Sequence, residues 1–446
     1  MWKTSVWGLL LHPTEAKVWL SVETQSYRLP SIMLNDPEGA LLPHEKDGAL
    51  PLVVGLQEAY GCHLHLLQTV DQWEDAESRQ TDIVCLLEIK DGQPSGGEWA
   101  DMQAASTRPF AVPAHRKWVQ QALEKLAEER ATPPEFTWQY RGWFAQAIGW
   151  IERQLARLGY GPVLSTEQLR TSNTSLMLRV HTDGSVFYFK TAADAPWLAN
   201  EPAVANTLGT YYPHLVPKPV CIDATRRWML TAEFGPTLED PERDQEMLVQ
   251  VARTYGQMQL NSAAHLADLI DTDPWGCDLA RLPSTWEAYL RKSKVMEMLQ
   301  PEEVTALQRH VPLVQEYSRQ LAESPIPQTI VHGDLGPYNI AQFNDKPLIF
   351  DWTDVGISFP FFDIVELLHR VRPPSAGGNA SVRTPAVDEI KERIRLTYLS
   401  TWTDYAPLSE LEKLWRLCQP LGFVSMALHL PFPYFPRRVL QFLESP

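Results

Sequence analysis

Three oxygen-bearing side chains on one short stretch have the types and spacing for metal-assisted chemistry. The stretch reads Ile330-Val331-His332-Gly333-Asp334-Leu335-Gly336-Pro337-Tyr338-Asn339-Ile340, and then Leu348-Ile349-Phe350-Asp351-Trp352. Asn339 follows Asp334 by five positions, and Asp351 follows Asn339 by twelve. Two apolar, strand-like runs end in carboxylates, and Gly333, Gly336 and Pro337 favour a tight loop between Asp334 and Asn339. If the second run returns beside that loop, Asp351 joins the other two. Two carboxylates and a carboxamide are hard donors that suit Mg²⁺, an ion usually held by one or two carboxylates plus substrate phosphates. Taken singly, each residue has a plainer reading: Asp334 and Asn339 as turn formers, Asp351 as a helix cap. The combination is specific where the parts are not.

The elements that must position these residues can be read along the chain. Residues 1–128 carry short apolar runs at Ser5–Leu11, Lys17–Val22 and Ile83–Ile89, with helices expected near Pro51–Gly61 and Pro113–Glu129. A charged helical pattern then runs into Pro133-Pro134, so 129–137 reads as a linker. A helix is expected over Phe136–Leu158. Strands follow at Leu176–Val180 and Ser185–Lys190, joined through Asp183-Gly184, a pair that tolerates positive φ and signals a hairpin. A helix near Asn200–Leu208, an extended Val220–Ile222 and a strand at Trp228–Ala232 come next. From Pro241 the periodicity turns helical, with one strand-rich interruption over Thr329–Trp352. Pro373–Asn379 reads as a loop inside a domain. The order is a small sheet-bearing lobe followed by a large helical lobe with a single strand-rich insert.

At His332, Asp334, Asn339 and Asp351 the sequence resembles the aminoglycoside phosphotransferase-like family, small-molecule kinases related to the protein kinases. The resemblance runs from about residue 140 to the C-terminus. It implies an α+β chain of protein-kinase-like bilobal fold, with an N-lobe over 138–232 and a mainly helical C-lobe over 233–446 that carries the catalytic loop. It further implies that Asp334 accepts or orients the substrate hydroxyl, while Asn339 and Asp351 hold Mg²⁺ on the phosphates of ATP or GTP. His332 reads, on the same pattern, as a hydrogen-bonder that orients the loop. A kinase of this kind also needs a strand lysine for the α/β-phosphates and a helix carboxylate to hold that lysine. Lys190, at the end of the hairpin's second strand, and Glu201, opening the following helix, stand in the required order. Their plainer readings are a solvated strand-end lysine and a helix N-terminal charge. No GxGxxG precedes Lys190; the phosphate-facing candidate is Arg170–Ser175, equally an ordinary polar loop. Trp228–Gly235 resembles the family's strand and interlobe hinge, where the backbone from Ala232 to Phe234 would meet adenine. Phe359–Asp363 resembles a segment in which Asp363 starts a helix and braces the catalytic loop.

Residues 1–128 resemble a Nudix fold in outline, with Gly39 and Glu45 at the spacing that opens the Nudix box. Across the following helix only Glu58 of the expected acids is present, and one carboxylate cannot assemble the pyrophosphate-bound metal cluster. The expectation is therefore a degenerate, non-catalytic α+β domain that binds or dimerises. His63 and His65 alternate on a strand without a third metal ligand nearby and read as core or solvated histidines.

Composition bounds what remains. Lys and Arg number 39 against 55 Asp and Glu in 446 residues, a net charge of −16, which makes the chain a poor candidate for the broad basic footprint that nucleic-acid binding needs. A local basic pocket for one nucleotide is not forbidden. Five scattered cysteines without CxxC spacing argue against a disulfide framework or a thiolate zinc site. Met1–Pro13 reads as a first strand instead of a signal peptide, and Leu421–Phe435, the nearest approach to an apolar span, is broken by His429, Pro431 and Pro433. A cytoplasmic enzyme with no nucleic-acid or membrane partner is expected, phosphorylating a small-molecule hydroxyl. The competing reading is a nucleotide-binding pseudokinase with an interaction role; Nudix hydrolysis is disfavoured by the missing glutamates.

Overall fold

The computed structural model describes residues 2–36, 48–75, 77–128, 137–195, 198–266, 279–373, 384–429 and 432–444. These form two compact units: residues 1–194 with 220–233, and residues 195–219 with 234–446.

The first unit holds two sheets. One contains β1 (Trp2–Leu11), β2 (Val18–Glu23), β3 (Ser26–Arg28), β4 (Ser31–Asp36), β5 (His63–Asp75), β6 (Gln80–Asp91) and β7 (Gly97–Ala100). Its main order is β3-β2-β1-β6-β5, with β4 on β1 and β7 on β2. β1 and β6 run parallel, and the buried run Ile83–Ile89 of β6 is continuously apolar except for Glu88, as expected of a strand covered on both faces. Helix α1 (Ala49–Tyr60) buries Ala49, Leu52, Val53 and Leu56, a single stripe at helical spacing. It stops at Gly61, whose φ of 69° a side chain would resist. Helices α2 (Met102–Thr107) and α3 (His115–Glu128) complete this part.

Helix α4 (Trp143–Arg157) starts seven residues later than the apolar pattern suggested. Gly142, at φ 83°, turns the chain before it. The second sheet contains β8 (Val163–Thr171), β9 (Ser175–Thr182), β10 (Ser185–Ala192), β11 (Cys221–Asp223) and β12 (Trp228–Ala232) in the antiparallel order β11-β12-β10-β9-β8. The β9–β10 hairpin turns at Asp183-Gly184, with Gly184 at φ 83°. Trp143 and Trp150 of α4 pack on Trp228, with ring centroids 5.7 and 5.6 Å apart. Specific hydrogen bonds tie the first sheet to the second and to the start of α4. The Gln168 amide of β8 pairs with both backbone groups of Leu66 in β5, at 2.8 and 2.7 Å. The Glu88 carboxylate of β6 accepts the Gly142 N–H at 2.7 Å.

The second unit begins with α5 (Glu201–Tyr211), whose Val204 and Leu208 join one apolar core with Tyr255, Trp286, Trp352 and Tyr398. Its further helices are α6 (Gln245–Ser262), α7 (Leu282–Lys292), α8 (Pro301–Arg309), α9 (Val311–Ala322), α10 (Phe362–Arg370), α11 (Pro385–Ser400), α12 (Leu408–His429) and α13 (Tyr434–Glu444). The strand-rich insert forms two small ladders. β13 (Thr329–Val331) pairs antiparallel with β16 (Gly356–Ser358), and β14 (Ile340–Phe343) with β15 (Lys346–Ile349). Asn344 and Asp345, at φ 50° and 58°, make the two-residue turn of the second ladder, the geometry that matches strand twist.

Of the sequence expectations, the linker over 129–137 apart from Thr137, the loop over 373–379 apart from Pro373, and the Nudix-box residues Gly39 and Glu45 lie outside the described residues. Glu58 is exposed on α1. Cys62, Cys85, Cys221 and Cys418 are free thiols, and among the described residues no helix is long and apolar enough to cross a membrane.

Candidate active site

The loop between β13 and β14 is held from beneath by one buried carboxylate. Asp363, in the first turn of α10 and 1% exposed, accepts the backbone N–H of His332 at 2.8 Å and of Gly333 at 3.0 Å. The Tyr255 hydroxyl and the Gln259 amide of α6 also reach Asp363. Gln259 in turn bonds the carbonyls of Ile330 and Pro360, and Tyr398 of α11 bonds both Gln259 and Pro360. Burial raises the pKa of Asp363, and these donors oppose that rise. Gly333 turns the chain at φ 82°, and a Cβ there would sit 2.2 Å from the Asp354 carbonyl oxygen. The glycine is required both by its backbone angle and by that close approach.

His332 is fully buried. Its Nδ1 accepts the N–H of Asp334 at 3.3 Å, which leaves Nε2 to donate to the Phe350 carbonyl at 2.9 Å. The ring thus links the loop to the segment after β15. A backbone bond from Phe350 N–H to the Asn339 carbonyl, 3.1 Å, closes the same connection. The apolar return strand therefore delivers Asp351 beside Asn339.

Asp334 projects with its side chain about one-third exposed. Its Oδ2 accepts from Asn339 Nδ2 at 3.1 Å, and the same nitrogen reaches the Asp334 carbonyl at 2.9 Å. With the amide nitrogen so committed, the Asn339 oxygen is the atom suited to a cation. Asp334 Oδ1 accepts the Tyr338 hydroxyl at 2.7 Å and faces Arg370 Nη2 at 3.3 Å. Burial raises the Tyr338 pKa, and the adjacent Asp334 charge adds to the effect.

Asp351 has φ 64° and ψ 63°, a left-handed conformation that aspartate tolerates better than most residues and that clusters at functional sites. The Thr353 hydroxyl lies 2.7 Å from Asp351 Oδ1 and 3.1 Å from Glu201 Oε2, and Thr353 also accepts the Ala199 N–H at 2.9 Å. Glu201 is buried at the start of α5 and is joined to Asp351 through this hydroxyl. Among the described residues no group of three or more His, Cys, Asp or Glu could hold a metal by itself. The donors present, Asp351 and the Asn339 oxygen, fit instead an ion whose coordination is completed by phosphate oxygens and water.

In the first unit, Lys190 is buried on β10, in register with Met177 of β9 and Met229 of β12. Ala232 ends β12, and the next residue, Glu233, donates its N–H to Val186 at 3.0 Å. Phe234 begins the second unit's share of this segment and packs on Phe350, ring centroids 5.1 Å apart. Gly235 follows at φ 95°, where a Cβ would meet the Gln342 carbonyl at 2.3 Å. Of the polar stretch Arg170–Ser175, the ends belong to β8 and β9. The Ser172 hydroxyl accepts the N–H groups of Thr174 and Ser175 at 3.1 and 3.0 Å, so these amides serve the hairpin. His63 is exposed beside Asp91, whereas His65 is buried against Glu88 and stacked on Phe144 at 4.2 Å.

Sequence reasoning missed Tyr338, Thr353 and Arg370. Tyr338 sits inside the motif, next to Asn339, and Thr353 lies two positions after Asp351; both were within reach of a reading that followed hydroxyls around the carboxylates. Arg370 lies 36 residues from Asp334, and its only local signal is the Glu366–Arg370 spacing on a helix.

The sequence profile of the phosphotransferase enzyme family (APH) matches residues 165–411, more than half of the chain. The chain belongs to this family. The phosphotransferase is accordingly a small-molecule kinase of protein-kinase-like α+β fold, as the motif around Asp334 implied. Solved structures resemble it at low identity. Choline kinase from Cryptosporidium parvum Iowa II is 13% identical, with 68% of this chain and 94% of that one covered at a TM-score of 0.49. Ethanolamine kinase from Plasmodium vivax is 12% identical, covering 73% and 88% at 0.46. Choline kinase LicA from Streptococcus pneumoniae is 14% identical, covering 67% and 98% at 0.43. No curated protein matches the phosphotransferase in sequence.

Proposed function

We propose that the enzyme transfers the γ-phosphoryl group of ATP, or of GTP in the same manner, to a hydroxyl of a small molecule with Mg²⁺ present. The observation that carries this reading is the joining of Asp334, Asn339 and Asp351 around one buried scaffold. Asn339 bonds Asp334 directly, and the Phe350–Asn339 backbone bond sets Asp351 alongside. Asp351 and the Asn339 oxygen hold the metal, which neutralises phosphate charge when bound. Asp334, oriented by Asn339 and Tyr338, receives the acceptor's hydroxyl proton. The acceptor oxygen forms a bond to the γ-phosphorus, the bond from that phosphorus to the β–γ bridging oxygen breaks, and the nucleoside diphosphate leaves. The transition state is loose, so positioning and electrostatics supply most of the acceleration.

Lys190 serves the α/β-phosphates and Glu201 holds a charge at the start of α5; the burial of both supports roles beyond surface solvation. The backbone from Ala232 to Phe234 serves adenine. Residues 138–232 and 233–446 act as the two lobes, and residues 1–128 as a non-catalytic module that braces β8 through the Leu66–Gln168 pair and the start of α4 through Glu88. The enzyme works as a cytoplasmic protein without nucleic-acid or membrane partners.

The test is a metabolite screen for phosphoryl acceptors with Asp334→Ala as control. Turnover is expected to vanish in the variant while nucleotide binding persists. Wild-type turnover in Asp334→Ala would refute the assignment.

A further inference from the structure

Helix α10 reaches the loop of Asp334 twice. Asp363, Glu366 and Arg370 stand at i, i+3 and i+7, spacing that puts them on one face of the helix. Asp363 holds the backbone of the loop through the N–H groups of His332 and Gly333. Arg370, at the far end of the same face, holds the Asp334 side chain. Its Nη2 lies 3.3 Å from Asp334 Oδ1 and 3.1 Å from Glu366 Oε1. Glu366 is 4% exposed, so the guanidinium is anchored on its own helix by a buried partner one turn back. It lies over the Tyr338 ring, 5.7 Å from the centroid, and the Tyr338 hydroxyl donates to the same Asp334 Oδ1 at 2.7 Å. Arg370 Nε is buried and meets no acceptor among the described residues, a costly arrangement. The side chain is placed for the carboxylates in preference to its own donors. A carboxylate oxygen accepts about two hydrogen bonds. Oδ1 of Asp334 has two donors, Tyr338 and Arg370, whereas Oδ2 has one among the described residues, Asn339 Nδ2 at 3.1 Å. The accepting direction left over belongs to Oδ2.

Resting on the kinase reading above, we infer that Arg370 and Tyr338 are positioning residues that saturate Asp334 Oδ1, so that Oδ2 alone receives the acceptor hydroxyl. In the transfer step the acceptor O–H bond breaks as its proton joins Oδ2, and the acceptor oxygen bonds to the γ-phosphorus. The bond from that phosphorus to the β–γ bridging oxygen breaks, the nucleoside diphosphate leaves, and the proton passes from Asp334 to solvent. Two donors on Oδ1, one of them anchored by Glu366, keep the carboxylate from turning while this happens. In phosphoryl transfer such fixed geometry supplies much of the rate.

The experiment follows release of inorganic phosphate from ATP by the full chain with Mg²⁺, water serving as the acceptor hydroxyl and Asp334→Ala as control. Arg370→Gln is expected to lower kcat at least tenfold while KM for ATP stays within twofold, because the lost contact acts on the base and not on the nucleotide. Tyr338→Phe is expected to lower kcat three- to tenfold. The double variant should lose less than the product of the two single losses, since both donors act through one oxygen. In Arg370→Gly, millimolar guanidinium chloride is expected to raise kcat at least threefold, whereas a helix that was merely weakened gains nothing from a mild denaturant. Unfolding midpoints show that each variant is folded at the assay temperature. If Arg370→Gly fails to fold, Arg370→Lys, which keeps the charge and loses the fork, is expected to fall between Arg370→Gln and wild type in kcat. With Asp334→Ala inactive, kcat of folded Arg370→Gln within threefold of wild type, a loss carried by KM, strictly multiplicative losses in the double variant, or no guanidinium response in folded Arg370→Gly would each overturn the inference alone. No turnover in wild type, or wild-type turnover in Asp334→Ala, marks instead the failure of the kinase reading and takes the inference with it.

Discussion

Asp363→Ala is the sharpest test of how the catalytic loop is held. The carboxylate is fully buried and accepts two backbone N–H groups, from His332 and Gly333, at 2.8 and 3.0 Å. Removing it strands the Gly333 N–H and leaves the His332 N–H only its longer bond to the Tyr255 hydroxyl oxygen at 3.1 Å, while the Tyr255 hydroxyl and the Gln259 amide lose an acceptor; each buried donor left unsatisfied costs about 1–3 kcal/mol. Loss of the burden of a buried charge returns part of that sum, so a net destabilisation of about 3 kcal/mol is expected. For a unit of this size that corresponds to a fall of roughly 6–12 °C in the unfolding midpoint, at about 2–4 °C per kcal/mol. Catalysis should fall further than stability explains. His332 Nδ1 receives the Asp334 N–H, so freeing the His332 backbone loosens Asp334, the residue proposed above to meet the acceptor. Misplacement of a reacting group by about 1 Å can reduce rate on the order of 100-fold. Thermal unfolding by tryptophan fluorescence, followed by turnover well below the variant's midpoint, separates the two effects. Asp363→Asn keeps one acceptor oxygen but turns an NH₂ group toward a donor, and should fall between wild type and Asp363→Ala. A midpoint within 1 °C of wild type together with turnover within threefold would refute the bracing argument.

Two further outcomes follow from the same geometry. Gly333→Ala places a methyl carbon where the Asp354 carbonyl now sits at 2.2 Å and asks alanine for φ 82°; the left-handed backbone alone costs about 1–2 kcal/mol, so turnover should drop by more than tenfold with a lowered midpoint, whereas Gly61→Ala, which meets nothing within 4 Å, should show only the smaller backbone cost. The pH dependence of stability should carry the mark of His369 and His429, whose pKa values burial pushes down to about 3 and about 4. Both are neutral when folded, while the unfolded chain takes up protons near pH 6.5, so stability is full above that pH and declines as pH falls toward 4, by up to roughly 1.4 kcal/mol per pH unit for each histidine. Unfolding midpoints measured from pH 7 to 4.5 should fall less steeply in His429→Gln than in wild type, and parallel curves would count against this account.

Local patterns were legible in the sequence because their causes are local. The hairpin at Asp183-Gly184, the stripe of α1 and its stop at Gly61, and the order of strand-rich and helical parts all follow from φ preferences and periodicity within a few residues. The motif residues Asp334, Asn339 and Asp351 were legible for a related reason: a five-residue loop and a short antiparallel ladder bring them together without help from distant chain. Helix α4 was misjudged at its start because an apolar pattern continues through residues that Gly142 turns out of the helix. β8 went unread, its Gln168 contributing a polar side chain where a strand pattern wants an apolar one; in the fold that amide satisfies the backbone of Leu66, 102 residues away.

By itself, then, the chain determined which side chains can do chemistry and the small elements that carry them, since steric and periodic rules act over a turn or two of backbone. Only the tertiary structure decided how those side chains are held and what surrounds them. The Asp363 carboxylate beneath the loop, the Tyr255 and Gln259 donors from α6, the Thr353 hydroxyl between Asp351 and Glu201, and the guanidinium of Arg370 against Asp334 all join residues separated by 30 to more than 150 positions. Such pairings leave no periodic trace. They exist because a buried polar group must find its partner wherever packing brings one, and packing is a property of the whole fold.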